Sequence, residues 1–291
     1  MPTATYISQA SITNFGPLTT TYTAPTSCAT ATDHLYFPYR DVSEQPEYLW
    51  AWPTCTMQLY GKCIPSGDKY DHLITATYAK TLDIGFYHYY SPGLYCPANW
   101  TTVGKYVKGT GGTAQITGAL TKTESEPVPE RWEPGRPFPT DPTSVWNQVL
   151  EPSETLVVCC PSEYTLDFNG NCYSVVGPAS SYGYTEICGF LIPTSVVPLT
   201  STKSGRPYYI YTEPIPLATF TRDMPTRALS ADRHVVERIP AVALIHQEVD
   251  FTKTSGGGDA KENAANRTSQ RSYVTLLLAM AIMTPVAISG L

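Results

Sequence analysis

The chain has 291 residues and a formal net charge of -6, and only 15% of its residues are charged. An average soluble domain carries about 25% charged residues, and a nucleic-acid-binding protein usually presents a basic patch. The composition therefore excludes a basic nucleic-acid-binding protein. The 42% share of hydrophobic residues excludes a chain that is disordered throughout.

Hydroxyl-bearing side chains replace much of the missing charge, since 39 Thr, 21 Ser and 21 Tyr stand against 9 Lys. Thr and Tyr favour pleated, half-buried strands, and Thr-rich surfaces are also typical of O-glycosylated proteins. The 26 Pro and 20 Gly residues interrupt the chain too often for long helices. We therefore predict a mostly-β, loop-rich and Pro-rich fold.

Residues 1–110 are predicted to form a first cysteine-containing β module. Apolar and polar residues alternate within residues 70–78, which favours a strand there. A second strand is predicted at residues 86–90, because this aromatic run ends at the turn-forming sequence Ser-Pro-Gly of residues 91–93.

Residues 111–155 are predicted to be a Pro-rich linker or long loop. Six prolines fall between Glu124 and Pro142. Proline at this density favours an extended, solvated path and cannot contribute to a central strand.

Residues 156–252 are predicted to form a second cysteine-containing β module. The uncharged run TLVVCC at residues 155–160 is typical of a short buried strand. Further strands are predicted at residues 208–211 and 241–251, with a turn at 169–171 and a weak helix at 227–238.

Eight cysteines are scattered along the chain without C-x-x-C spacing, which is typical of disulfides rather than of a zinc site. Disulfides persist in oxidising compartments. All eight are predicted to be paired, namely Cys28, Cys55, Cys63, Cys96, Cys159, Cys160, Cys172 and Cys188. The neighbours Cys159 and Cys160 are expected to bond to two different partners, while the connectivity stays open.

The C-terminal segment carries the most specific signal. Residues 273–291 read YVTLLLAMAIMTPVAISGL, an uncharged run that reaches the roughly 18 residues of a membrane span. We predict an apolar tail helix here, preceded by a polar stalk at residues 253–272. Small residues, a polar spacer and an apolar tail form a glycosylphosphatidylinositol (GPI) anchor signal, with attachment predicted at Asn263 or Gly258. A permanent transmembrane span is the alternative.

The charges beside this tail and the N-terminal sequence both bear on the topology of the chain. Arg267 and Arg271 precede the tail and no Lys or Arg follows it, so a permanent span would leave the main body in the cytosol. Residues 1–28 contain no basic residue and no long apolar run, unlike a secretory signal. We expect the natural chain to begin upstream; otherwise the protein is tail-anchored and faces the cytosol.

Carbohydrate is expected in two ways. N-x-T acceptor sequences for N-glycosylation begin at Asn99 and Asn266. Separately, the rings of Tyr87, Tyr89 and Trp100 could present flat faces to sugar rings, although packing into the core is the usual fate of aromatic residues on strands.

Recognisable catalytic chemistry is missing from the sequence, which contains no H-x-x-x-H, G-x-S-x-G or P-loop pattern. Asp33-His34 and Asp71-His72 are predicted to be surface turns, because neighbouring side chains of an extended segment point to opposite faces. Glycoside cleavage would need a carboxylate pair, for which the available residues are Glu163, Asp167 and Glu186. We predict no catalytic, metal-binding or cofactor-binding residue.

Three blocks of sequence stand out, namely GPLTTTYTAPTSC at residues 16–28, CPANWT at 96–101 and CCPSEYT at 159–165. Together they resemble a group of surface proteins of filamentous fungi. In that group, G-P-L-T-T-x-(F/Y)-T-x-P-x-S-C is followed by C-P-x-G-(Y/W)-T, by C-C-P-S-G-Y-T and by a membrane anchor. Asn99 and Glu163 stand where the group carries glycine, and the group's signal peptide is missing.

The resemblance covers roughly residues 12–250 and implies an extracellular location rather than an activity. We expect a membrane-anchored extracytoplasmic surface or cell-wall protein with a structural, adhesive or sensory role, and not an enzyme. Its expected partners are a lipid bilayer at the C-terminus and cell-wall polysaccharide. The alternatives are a hydrolase of wall carbohydrate and a tail-anchored, cytosol-facing membrane protein.

Overall fold

A computed structural model gives the fold of the chain. It describes residues 1–7, 10–30, 34–38, 50–51, 53–56, 58–78, 86–111, 113–121, 142–167, 170–191, 199–203, 206–210, 218–223 and 234–254. Residues 1–248 form one compact unit, and the chain from residue 249 onward forms another. The described residues are mostly strands, which confirms the mostly-β prediction.

The strands and helices are as follows. The strands are β1 (Tyr6–Ile7), β2 (Ala10–Asn14), β3 (Leu35–Pro38), β4 (Trp50–Ala51), β5 (Phe86–Tyr89), β6 (Trp100–Lys108), β7 (Ala114–Gly118), β8 (Thr155–Pro161), β9 (Thr165–Leu166), β10 (Asn171–Pro178), β11 (Glu186–Leu191), β12 (Leu199–Lys203), β13 (Arg206–Ile210), β14 (Ala218–Asp223), β15 (His234–Pro240) and β16 (Val242–His246). The helices are α1 (Gly67–Tyr78), α2 (Pro142–Val149) and α3 (Glu248–Thr254).

The central sheet is antiparallel and has the order β16-β8-β6-β7. Strand β8 lies inside it and is buried on both faces. Leu156, Val158 and Cys160 pack into one hydrophobic cluster, while Cys159 packs into the other. A strand covered on both faces has no solvent side, which explains why its sequence shows an apolar run rather than alternation.

One helix covers each face of this sheet. Helix α2 packs Val145, Trp146 and Val149 into the cluster that contains Leu156. Helix α1 contributes Tyr70 and Ile74 to the opposite cluster. The central sheet is therefore the middle layer of a helix–sheet–helix arrangement.

A small sheet of order β1-β2-β5 extends this layer beside β16. Strands β2 and β5 are parallel, and Tyr90, directly after β5, is bridged to Leu244 of β16. The amide of Tyr90 donates to the carbonyl of Ala243, and the amide of Ile245 donates to the carbonyl of Tyr90, both at 2.9 Å. The aromatic run at residues 86–90 therefore follows the edge of the central sheet.

A second large sheet has the order β4-β3-β15-β10-β9. Strands β9 and β10 form the hairpin predicted around residues 169–171, and Gly170 at its turn has a φ of 77°. Two further pairs, β11 with β14 and β12 with β13, are antiparallel.

The predicted division into two cysteine modules is not what the structure shows. Strands β6 and β8 come from different predicted modules and are paired along most of their length. Strands β3 and β15 also cross that division. The predicted linker at residues 111–155 supplies β7 to the central sheet and α2 to the core, while most of its Pro-rich part lies outside the described residues.

Several local predictions were wrong. The strand predicted at residues 241–251 ends at His246, and the residues from Glu248 onward belong to helix α3. Residues 70–78 belong to helix α1 rather than to a strand, because Tyr70 and Ile74 are buried four residues apart, which places them on one helical face. The weak helix predicted at 227–238 is a strand from His234 onward, and its earlier part lies outside the described residues.

The polar stalk from residue 255 and the apolar tail at residues 273–291 lie outside the described residues. Within the described residues, no helix combines the length and the apolar character that crossing a membrane requires.

Candidate functional site

All eight cysteines are paired, which confirms the disulfide prediction. The bonds are Cys28–Cys63, Cys55–Cys188, Cys96–Cys159 and Cys160–Cys172. Cys159 and Cys160 bond to different partners, as expected, because consecutive side chains of β8 point to opposite faces of the sheet. Cys159, Cys160 and Cys172 are each 0% exposed.

The two Cys-Pro blocks of the sequence form a pair of similar turns at one end of the central sheet. The amide of Trp100 donates to the carbonyl of Pro97 at 3.0 Å, and the amide of Tyr164 donates to the carbonyl of Pro161 at 3.1 Å. The third residue of each turn has a left-handed backbone, with φ of 64° at Asn99 and 73° at Glu163.

These turns are also bonded to each other. The carbonyl of Asn99 accepts hydrogen bonds from the amide of Ser162 at 3.1 Å and from its hydroxyl at 3.0 Å. Trp100 lies opposite Pro161 in the register of β6 and β8. The pattern C-P-x-x-(W/Y)-T occurs in both blocks, and this near-repeat is the sequence signal that could have predicted their pairing.

Neither of the two left-handed turn positions is occupied by glycine. Glycine adopts a left-handed backbone without a steric penalty, and Asn99 and Glu163 occupy the same conformation here. Asn99, the first residue of the N-x-T sequence, is exposed.

The three residues predicted to contact carbohydrate differ in their exposure. Tyr89 is 2% exposed and its hydroxyl donates to the carbonyl of Pro2 at 3.2 Å, so its ring has no free face and the carbohydrate prediction does not extend to it. Tyr87 packs edge-on against Trp146 with ring centroids 5.6 Å apart. Trp100 is half-buried between the two clusters.

An aromatic cluster that the sequence did not indicate surrounds His88 of β5. Its imidazole stacks on Phe15 at 5.0 Å and meets Tyr70 edge-on at 5.1 Å. Burial lowers the pKa of His88 to about 4, although a backbone hydrogen bond with Ala241 opposes the shift. The imidazole is therefore held in its neutral form at ordinary pH.

Of the three carboxylates considered for glycoside cleavage, Asp167 has a structural role. Its buried carboxylate is 2.8 Å from both Nε and Nη2 of Arg238, and it accepts a hydrogen bond from the amide of Asn171. Glu163 and Glu186 are exposed.

A second buried carboxylate, Glu154, contacts the N-terminal segment. Glu154 is 1% exposed and lies 3.0 Å from the amino group of Met1. Its Oε2 also accepts a hydrogen bond from the amide of Glu151 at 2.8 Å. These contacts place Met1 beside the turn that precedes β8.

The two Asp-His pairs were predicted to form surface turns, but Asp71 and His72 lie within helix α1, where Asp71 is buried. His34 is buried and stacks on Tyr60 at 4.1 Å, whereas His72 is exposed on α1. Across the described part of the chain, no three His, Cys, Asp or Glu residues are grouped as metal ligands. The predicted anchor and second acceptor positions, Gly258, Asn263 and Asn266, lie outside it.

No protein-family model matches this chain, and no curated protein and no solved structure matches it at a significant level.

Proposed function

We propose that this chain is an extracytoplasmic surface or cell-wall protein, attached to a membrane through its C-terminal segment, with a structural, adhesive or sensory role. The observation that supports the proposal is the complete pairing of eight cysteines. Disulfides persist in oxidising compartments and are rare in the cytosol. The small residues at Asn263 or Gly258, the polar spacer and the apolar tail favour a GPI anchor.

The arrangement of the disulfides adds to this support. Two of them, Cys96–Cys159 and Cys160–Cys172, fix both sides of β8, the strand around which the core is built. Two others hold chain segments at the periphery, around Cys28 and Cys55. A fold cross-linked by four disulfides is suited to persist outside the cell, where cytosolic chaperones cannot refold a protein.

The first prediction tests location and attachment together. Intact cells that produce the full chain are treated with a phosphatidylinositol-specific phospholipase, and the released protein is followed by immunoblot with and without reductant. We expect release into the medium and slower migration after reduction, because reduction opens the compact cross-linked chain.

Each alternative gives a different result in the same experiment. A protein that stays on the membrane but is digested by protease added outside the cell has a permanent span instead of a lipid anchor. A protein that is protected from that protease, and whose eight thiols react with maleimide without reduction, faces the cytosol. The latter result would contradict the proposed function.

The competing proposal of a wall-carbohydrate hydrolase depends on a carboxylate pair. Asp167 is committed to Arg238, so a pair would have to use other residues. Incubation of the purified chain with wall glucans and chitin, followed by a reducing-end assay, distinguishes the two roles. We expect no new reducing ends.

A further inference from the structure

The N-x-T sequence at residues 99–101 begins in the first of the two paired turns and continues into β6. Asn99 and Thr101 are both exposed, whereas Trp100 between them packs against both hydrophobic clusters. N-glycosylation of this pattern requires the asparagine and the hydroxyl-bearing residue, while the residue between them is free to vary except for proline. The two residues that the pattern requires therefore lie at the surface, and the one that it leaves open packs inward.

The backbone of this turn is fixed by contacts that do not involve the Asn99 side chain. The backbone carbonyl of Asn99 accepts from both the amide and the hydroxyl of Ser162 on the neighbouring turn. The Cys96–Cys159 disulfide joins the start of the same turn to β8. A group attached to the Asn99 side chain would leave these contacts intact.

The side chain of Asn99 differs in this respect from two other exposed asparagines. Oδ1 of Asn14 accepts from the amide of Gly16 at 2.9 Å, and Oδ1 of Asn147 accepts from the hydroxyl of Tyr106 at 2.7 Å. Within the described part of the chain, the hydrogen bonds of Asn99 use its backbone carbonyl and none uses its side-chain amide. The fold therefore uses the side chains of Asn14 and Asn147 and leaves that of Asn99 available for modification.

We propose that Asn99 carries an N-linked oligosaccharide. The donor is an oligosaccharide joined through pyrophosphate to a polyprenol lipid. Nδ2 of Asn99 forms a bond to C1 of the first sugar, the bond from C1 to the pyrophosphate oxygen breaks, and the lipid pyrophosphate leaves with the electron pair. Nδ2 loses one proton in the same reaction. The proposal rests on the extracytoplasmic location in the proposed function, because this transfer takes place on the lumenal side of the secretory pathway.

The test compares the mobility of the full chain, taken from the cells that produce it, before and after treatment with a peptide N-glycosidase. We expect one step of faster migration on treatment. Asn99→Gln should abolish this step, and so should Thr101→Val, which removes the hydroxyl of the pattern but keeps the branched side chain that suits a strand. Asn266→Gln removes the other N-x-T acceptor of the sequence and should leave the step in place.

The second of the paired turns provides a variant that should gain a glycan. Glu163 is exposed with a φ of 73°, close to the 64° of Asn99, and the exposed Thr165 follows two residues later. Tyr164 packs against a hydrophobic cluster as Trp100 does. Glu163→Asn gives this turn the N-x-T pattern and should add a second step of mobility. Glu163→Gln, which does not create the pattern, is the matched control and should add none.

An unmodified Asn99 in the natural chain, or a glycan that Asn99→Gln or Thr101→Val leaves in place, would overturn the proposal. Failure of Glu163→Asn to add a step would refute the turn geometry as its basis. Maleimide labelling of the same extracts separates this failure from that of the proposed function. If the eight cysteines do not react before reduction, the chain has reached an oxidising compartment, and a missing glycan then refutes the glycan alone. Reactive thiols together with a missing glycan would refute both.

Discussion

At the scale of single residues, Glu163 has a left-handed backbone conformation, and substitution by glycine can remove the strain of that conformation. An L-residue in this backbone region costs roughly 1–2 kcal/mol relative to the right-handed region, and Glu163 has a φ of 73°. We predict that Glu163→Gly raises the free energy of unfolding by about 0.5–1 kcal/mol. Denaturant unfolding with the disulfides intact measures the change.

Two companion variants separate backbone strain from side-chain effects. Glu163→Ala removes the carboxylate but keeps a Cβ atom, so it should give no comparable gain. Asn99→Gly should gain less than Glu163→Gly, because asparagine tolerates the left-handed region better than glutamate does. A gain in Glu163→Ala equal to that in Glu163→Gly would refute the strain argument.

The imidazole of His88 couples stability to pH. Its folded pKa of about 4 lies below the unfolded value of about 6.5, so the unfolded chain takes up the proton first as the pH falls. Stability that is present above pH 6.5 is therefore lost between pH 6.5 and 4. We predict a loss of about 2 kcal/mol between pH 7 and pH 5 from this residue, which is an upper figure because the ring is only half-buried.

His88→Phe tests the origin of that loss. The variant cannot take up a proton, so its free energy of unfolding should fall less between pH 7 and pH 5 than that of the natural chain. His72→Gln, at an exposed position on α1, should leave the loss in place. Equal pH dependence in the natural chain and in His88→Phe would show that other groups are responsible.

At the scale of secondary-structure elements, the ion pair between Arg238 and Asp167 joins β15 to the hairpin of β9 and β10. Removing one member of a buried pair leaves an uncompensated charge, which costs about 3–5 kcal/mol. We predict a loss of this size for Arg238→Met. The double variant Arg238→Met/Asp167→Asn should recover part of it, because the orphaned charge is gone while Oδ1 still accepts from Asn171.

The elements that could be predicted from the sequence are those whose pattern has one interpretation. The uncharged run at 155–160 and the aromatic run at 86–90 are strands, as expected. Residues 70–78 could not be assigned in this way, since Tyr70 and Ile74 satisfy both an alternating pattern and a helical spacing. Their burial against Phe15 and Tyr90, which comes from distant parts of the chain, decides in favour of the helix.

At the scale of the whole molecule, the pairing of distant strands lay beyond sequence reasoning. The cysteine pattern predicted disulfide bonds but not which cysteines are joined. The Cys96–Cys159 bond depends on the register of β6 against β8, which places Thr102 opposite Cys159. The Pro-rich composition of residues 111–155 led to the prediction of a linker, so helix α2 was not predicted.

The four disulfides overlap along the chain in a way that determines the outcome of proteolysis. Cys28–Cys63 overlaps Cys55–Cys188, and the second of these encloses the remaining two. Every peptide bond between Cys28 and Cys188 is therefore spanned by at least one covalent cross-link. A protease that makes one cut in this stretch leaves the two fragments covalently joined, and reduction is needed to separate them.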